Sequence, residues 1–275
     1  MTTKLADPIK ILVKSIGKIR IHTFVSSFEK NNIANATHII ENDKLVIIDA
    51  QFFKYYALEF RKYIDSLEKP IERLYISHRH PDHWFGLDTA FKDIPVYTLQ
   101  ETIDFIETKG EDSIEDHKLK MGDQVPDRIL VPGNVVGPGK EKIDGIDYVF
   151  EKVVDTEIDY LLTIKLPELK IQIVQDLIYS GTHLYLTKHM QKWAGILEKM
   201  LLSNDELFLP GHGLPADKIE VAQNLKYLLA AKQAYDDGLK DDYFKNFLLS
   251  RFPARECPGI FDIYISRLFD GAGDY

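Results

Sequence analysis

Only one cysteine, Cys257, occurs in the 275 residues, so the chain closes no internal disulfide and has no thiolate cluster for a structural zinc. If it binds a metal, imidazole and carboxylate must hold it. Long apolar runs are missing too. Nothing approaches the roughly 18 consecutive apolar residues of a membrane span, and the opening MTTKLADPIKILVKSIGK has no apolar stretch followed by a small-residue cleavage site. No membrane partner is expected, and the cytoplasm is the expected compartment. Positive charge is in deficit, with 34 Lys and Arg against 43 Asp and Glu and a net charge of -9, which argues against nucleic acid as a partner. Tandem repeats and low-complexity linkers are absent from the sequence.

What is present is enough apolar material, 45% of the residues, for one sizeable core. A chain of this length typically buries about three-quarters of the surface it exposes when unfolded. One domain over residues 1–275 is expected, with 217–275 a C-terminal helical extension whose Phe244, Phe247, Leu248 and Leu249 suit either a cover for the sheet or a homodimer contact. Short β-rich runs, ILV, IRIHTFV, ATHIIE and LVIID, predict a meander or a hairpin pair ending at Asp49. Phe53, Tyr56, Ala57, Phe60, Tyr63, Ile64 and Leu67 then recur at helical spacing up to Pro70. Strands are predicted at 74–76 and 95–98, with a helix over 101–108. Residues 110–142, with the acidic EDSIED and the turn-rich VPGNVVGPG, read as loops and edge strands. Further strands are expected at 148–153, 160–164, 171–174 and 207–209, with helices from 186 to about 201 and around Val221, Leu225, Leu228 and Leu229. An α/β protein of many short strands follows.

The chemistry is concentrated in SHRHPDHWFG, where His78, His80, Asp82 and His83 lie within six residues directly after an apolar strand. Positions 78 and 80 project to one side of an extended segment, while 82 and 83 can turn to a second point, so one loop can serve two metal ions. Three of nine histidines in six positions is improbable by chance. Imidazole with carboxylate suits zinc, iron or manganese.

His78-Arg79-His80-Pro81-Asp82-His83 resembles the HxHxDH signature of the metallo-β-lactamase superfamily, and the likeness extends over about Ala36–Pro215. The resemblance implies a four-layer αββα sandwich, two sheets packed face to face with helices outside, carrying a dinuclear site at one edge. It implies that Asp49 supports the ligand loop, that Asp176 in IVQDLIY bridges the two metals, and that His212 in FLPGHG binds the second; Gly211 and Gly213 beside it would let the backbone turn sharply. One member of the pattern is missing. Between His117 and His183 there is no histidine, where the family supplies a third imidazole to the first metal. Glu157, nineteen positions before Asp176, is the candidate replacement, with Asp155 its rival. The segment from Asp155 to Leu186 is similar in layout to the alkyl sulfatase branch, where a glutamate takes this place.

Two divalent ions, Zn2+ with Mn2+ or Fe2+ as alternatives, would lower the pKa of a water from about 16 toward 7. The implied activity is hydrolysis of an ester, lactone, thioester, sulfate ester or phosphoester of a small molecule. Asp82 is expected to pass a proton as well as to bind metal, and His183 and Tyr185 to donate to a developing oxyanion. Trp84 and Phe85 are expected to wall the pocket, at least one of them as core, while His22, His38 and His189 are expected to be structural and Cys257 to have no redox role. Two other readings stay open, a mononuclear iron dioxygenase-like enzyme and a non-catalytic metal-binding or sensor module. Glu157 separates them.

Overall fold

The structure, a computed structural model, describes residues 9–26 and 34–270. Four strands come first: β1 (Lys10–Ile16), β2 (Ile19–Ser26), β3 (Asn35–Glu41) and β4 (Leu45–Ile48), each antiparallel to the one before. This is the expected meander. Helix α1 (Lys54–Asp65) then carries the chain back across the sheet, so that β5 (Ile71–Tyr75), β6 (Val96–Thr98) and β7 (Asn134–Val135) add in parallel, completing seven strands in sequence order. A second sheet holds β8 (Gly139–Ile143), β9 (Ile146–Val154), β10 (Tyr160–Leu166) and β11 (Ile171–Ile173) as antiparallel neighbours. Its last strand, β12 (Leu207–Leu209), returns parallel to β11 after helix α5 (Met190–Leu202).

Alternation along the strands sorts the side chains into three apolar layers. On β4, Leu45 and Ile47 pack with Phe60 and Ile64 of α1, whereas Val46 and Ile48 pack with Tyr148, Phe150 and Ile164 of the opposite sheet. On β12, Leu209 faces between the sheets and Phe208 faces Trp193 and Leu197 of α5. Three apolar layers divided by two sheets make the αββα sandwich. All seven residues of β3 are buried, as a strand covered on both faces requires. The last three helices, α6 (Lys218–Asp236), α7 (Asp241–Arg251) and α8 (Phe261–Asp270), join α5 on the outer face of the second sheet, with Phe244 and Leu248 buried and Phe247 and Leu249 packed against them. Among the described residues no helix is long and apolar enough to cross a membrane.

Residues 110–142 correct the sequence reading in part. A helix of 22 residues, α4 (Gln100–Met121), runs through the acidic stretch expected to be loop. Ile106, Gly110, Ser113 and Ile114 form its buried stripe, while Glu111, Asp112, Glu115 and Asp116 occupy the wet face. A Cβ at Gly110 would stand 2.9 Å from Ile129 and 3.3 Å from Trp84, so the glycine lets α4 approach the loop after β5.

Candidate metal centre

The two parallel pairs explain why distant motifs meet. Strands β4 and β5 end side by side in one sheet and β11 and β12 in the other, and the residues just past these ends are Asp49, His78, Asp176 and His212. Two of the ends are sharply bent: Asp49 has φ 62° and Gln175 has φ 44°, left-handed values that non-glycine residues rarely adopt and that cluster at functional sites. From Ser77 the chain passes His78 and His80 and enters the short helix α2 (Pro81–Trp84), which carries Asp82 and His83 and is followed by α3 (Gly86–Ala90). Glu157 arrives from the tight turn joining β9 to β10, where the amides of Asp155 and Thr156 donate to the carbonyls of Asp159 and Ile158.

Two groups of potential ligands result, His78, His80, Glu157 and Asp176 in one and Asp82, His83 and His212 in the other. Asp176 Oδ2 is the hinge between them, 3.6 Å from His78 Nε2, 3.4 Å from His83 Nε2 and 3.2 Å from His212 Nε2. His80 Nδ1 lies 3.2 Å from Glu157 Oε1, and Asp82 Oδ2 lies 3.6 and 3.5 Å from His83 and His212. Tetrahedral coordination with bonds of about 2.1 Å places neighbouring donors about 3.4 Å apart, so these separations fit the edges of metal polyhedra. The imidazole nitrogens His78 Nε2 and His83 Nε2, with Glu157 Oε2 and Asp176 Oδ1, are buried without a hydrogen-bond partner. Orphaned polar atoms of this kind are costly unless something binds them. The donor set fits divalent metal.

Supporting contacts aim the donors. Asp49 accepts from Ser77 N at 2.7 Å, Ser77 Oγ at 2.8 Å, His83 Nδ1 at 2.7 Å and Gln175 Nε2. Ser77 Oγ, having given its proton to Asp49, receives one from His78 Nδ1 at 2.9 Å. Both imidazoles are thereby fixed with Nε2 as the lone-pair nitrogen, the form a metal needs. His212 is placed by backbone pairing, with Ala36 N donating to Gly211 O at 2.7 Å and Gly213 N to Ala34 O at 3.0 Å. Both glycines of that loop permit close approach: a Cβ at Gly211 would lie 2.0 Å from Asp176 Oδ1 and one at Gly213 2.0 Å from Ser180 O, and Gly213 in addition makes the turn at φ 90°. Asn35 completes the loop's surroundings, donating Nδ2 to Asp82 O at 2.6 Å.

The charges respond to this crowding. Burial alone would raise the Asp176 carboxyl, but the imidazoles of His212, His83 and His78 hold it well below the usual carboxylate range. Burial opposes protonation of His83, yet Asp176, Asp82 and Asp49 around it push its pKa well above that of an ordinary histidine. Glu157 moves the other way, its carboxyl raised by burial against the pull of His80. His212 is likewise raised by Asp176 against its burial, whereas burial and the neighbouring His83 hold His78 well below an ordinary histidine, so the buried carboxylates draw positive charge to the His83 and His212 side of the cluster.

Of the residues singled out in the sequence, all seven proposed ligands fall in these two groups. Asp155 does not: it points outward, paired with Lys192 at 2.7 Å, which leaves Glu157 as the acid beside His80. His183 stands apart from both groups as well, a correction to its expected place over the metals. Its amide pairs with Glu256 O at 2.9 Å, which turns the ring against Phe261 and Tyr227, with Nδ1 3.0 Å from Tyr227 Oη. Burial there lowers its pKa to about 4. Tyr185 does come close, its ring 5.5 Å from that of His80. Trp84 and Phe85 are both core, and Trp84 Nε1 braces the ligand loop by donating to Arg79 O at 3.0 Å. His22 and His38 are buried and hydrogen-bonded, to Glu41 and Tyr63 and to Thr23 and Pro210 respectively.

The residue that sequence reasoning missed is Tyr179. Its hydroxyl lies 3.3 Å from Asp176 Oδ2 and 3.4 Å from Glu157 Oε1, and its ring stacks on His212 at 4.8 Å. Nothing in the sequence signals it: Tyr179 lies beyond the 3-10 turn Gln175–Leu177, past an extended Ile178, and an isolated bridge to His212 brings it to the site.

The sequence matches the model of the metallo-beta-lactamase superfamily over residues 31–212. No curated protein sequence matches it. Among solved structures, a metallo-beta-lactamase from Pontibacter korlensis superposes with a TM-score of 0.62 at 17% identity, covering 80% of this chain and 99% of its own. A metallo-beta-lactamase from Pseudomonas aeruginosa in a mono-zinc form gives 0.63 at 14% identity over 83% and 98%, and one from Hirschia baltica gives 0.60 at 17% over 81% and 98%. At these identities the likeness speaks for the fold, while the family match covers well over half the chain and includes every ligand motif identified above. The chain belongs to the metallo-beta-lactamase superfamily.

Proposed function

We propose that the chain is a dinuclear metal-dependent hydrolase of a small-molecule ester, lactone, thioester, sulfate ester or phosphoester. The observation that supports this is the position of Asp176 Oδ2, within 3.6 Å of imidazole nitrogens from both ligand groups, from which one carboxylate would serve two ions. His78, His80 and Glu157 would hold the first ion and Asp82, His83 and His212 the second. Bound there, the ions would supply Lewis acidity and a water acidic enough to attack near neutral pH.

The chain's own groups have separable tasks. Asp82 is the most open of the carboxylate ligands, its side chain 24% exposed, and its Oδ2 can take a proton from a group arriving from solvent. Tyr179 Oη can give its one hydrogen bond to Asp176 or to Glu157, or turn it toward a substrate oxygen. Asp49 keeps the imidazoles in one tautomer. The neighbours' name does not fix the bond, because fold alone does not determine the substrate. The net charge of -9 favours a small molecule over nucleic acid as partner.

The test is a panel of chromogenic ester, lactone, thioester, sulfate and phosphate substrates, run with protein reconstituted in Zn2+, Mn2+ or Fe2+. Turnover of one class, abolished by a chelator and by Asp176→Ala, is the expected result. No hydrolysis with any metal, together with oxygen consumption in the iron form, would move the reading to a mononuclear dioxygenase.

A further inference from the structure

We propose that the C-terminal extension is a working part of this metal centre, and that Arg255 is the positioning residue that sets Tyr179 against the first ligand group. The inference rests on the metal-dependent reading above and goes beyond it, because none of the ligand motifs lies in the extension.

Arg255 sits between α7 and α8 with its side chain 7% exposed. Its Nη1 donates to Tyr179 O at 3.0 Å and to Thr182 O at 2.6 Å, and its Nη2 donates to Glu220 Oε1 of α6 at 3.2 Å. The next residue continues the grip through the backbone: Glu256 N donates to Gly181 O at 2.9 Å, and Glu256 O accepts from His183 N at 2.9 Å. Asn224 of α6 closes the other side, accepting from Tyr179 N at 3.0 Å and donating to Tyr179 O at 3.2 Å. Residues 179–183 belong to no sheet beyond isolated bridges; Ser180 N donates to His212 O at 2.9 Å, and the contacts from the extension hold the rest of their path. Where they place Tyr179 is where its hydroxyl reaches Asp176 and Glu157 together.

A second arginine of the extension reaches the neighbouring tyrosine, by its hydroxyl and not its backbone. Arg267 of α8 donates from Nη1 to Tyr185 Oη at 2.9 Å, and the Tyr185 ring stands 5.5 Å from that of His80. Each tyrosine beside the first ligand group is thus held by an arginine of the extension. Arginine suits the task because one planar fork spreads its donors over two carbonyls and a carboxylate at once. Its removal would leave the buried Thr182 carbonyl without that donor and free the loop to relax.

The test uses Co2+, whose visible spectrum reports coordination geometry, on the full-length protein, Arg255→Met, Tyr179→Phe and the double variant, with affinities read by chelator competition and folding checked by circular dichroism. Contacts that orient metal ligands typically change affinity about 10- to 100-fold when lost. Arg255→Met should weaken Co2+ binding about tenfold and alter the spectrum as Tyr179→Phe does, and the double variant should be no weaker than Tyr179→Phe alone. Unchanged binding and spectrum in Arg255→Met, or losses that add in the double variant, would overturn the inference. Should Arg255→Met not fold, Glu220→Gln loosens the same guanidinium, and it must show a smaller loss that likewise vanishes in the Tyr179→Phe background; additivity there overturns the inference equally. Failure of the unsubstituted protein to bind Co2+ would instead refute the metal-dependent reading on which it stands.

Discussion

Replacing Gly211 by alanine isolates the geometric demand of the centre from the stability of the fold. The added Cβ would stand 2.0 Å from Asp176 Oδ1 and 2.9 Å from His83 Cε1, whereas ordinary contact begins at 3.4 Å. Asp176 or the His212 loop must therefore give way by the difference, about 1.4 Å. Metal–ligand distances tolerate only about 0.2 Å. The backbone at Gly211 is not left-handed, so alanine brings no conformational penalty there, and the overpacking itself should cost roughly 1–3 kcal/mol. The expected variant is folded by circular dichroism with a modestly lowered Tm, yet retains at most one divalent ion per chain by elemental mass spectrometry. A folded Gly211→Ala protein with an undiminished metal complement would refute the assignment of Asp176 as the shared ligand.

Glu157→Gln should cost one of the two ions while Asp155→Asn leaves the metal content unchanged, because Glu157 faces His80 and Asp155 faces Lys192; equal effects in dialysed samples would contradict that division. Asp49→Asn should weaken metal binding about 10- to 100-fold in chelator competition, since an amide cannot accept from Ser77, His83 and Gln175 together. An undisturbed affinity would mean that the imidazoles orient themselves. His38, buried between Thr23 and Pro210, has its pKa lowered by burial to about 4, so the unfolded chain takes up a proton the folded chain refuses between about pH 6.5 and pH 4. The stability this supplies is complete above pH 6.5 and is lost as the pH falls toward 4, on the order of 3 kcal/mol for metal-free protein. Urea unfolding at pH 7 and pH 4.5 should show a shallower pH dependence in His38→Gln, and an identical dependence would sink the assignment.

The ligand loop was legible in the sequence because its chemistry is local: four donors within six residues need no tertiary contact to be noticed. Asp176 and His212 were legible through the family likeness, and their convergence follows from parallel strands ending at one edge. Helix α4 was misread past Gly110 because a glycine that admits a neighbouring indole looks, in sequence alone, like a break. His183 was misplaced because only the pairing of residues 181–183 with Glu256, more than seventy positions away, turns its ring from the metals. That pairing also explains why Arg255 and Tyr179 were silent in the sequence. Their roles exist only once the chain's end has folded back over the second sheet.

The most direct test is the metal content of protein purified without added metal, then after exposure to Zn2+ or Mn2+, beside Asp176→Ala treated identically. Two divalent ions per chain in the unsubstituted protein, with neither retained by Asp176→Ala, is the predicted result. One ion, or none, in a well-folded unsubstituted chain at saturating metal would contradict the dinuclear centre.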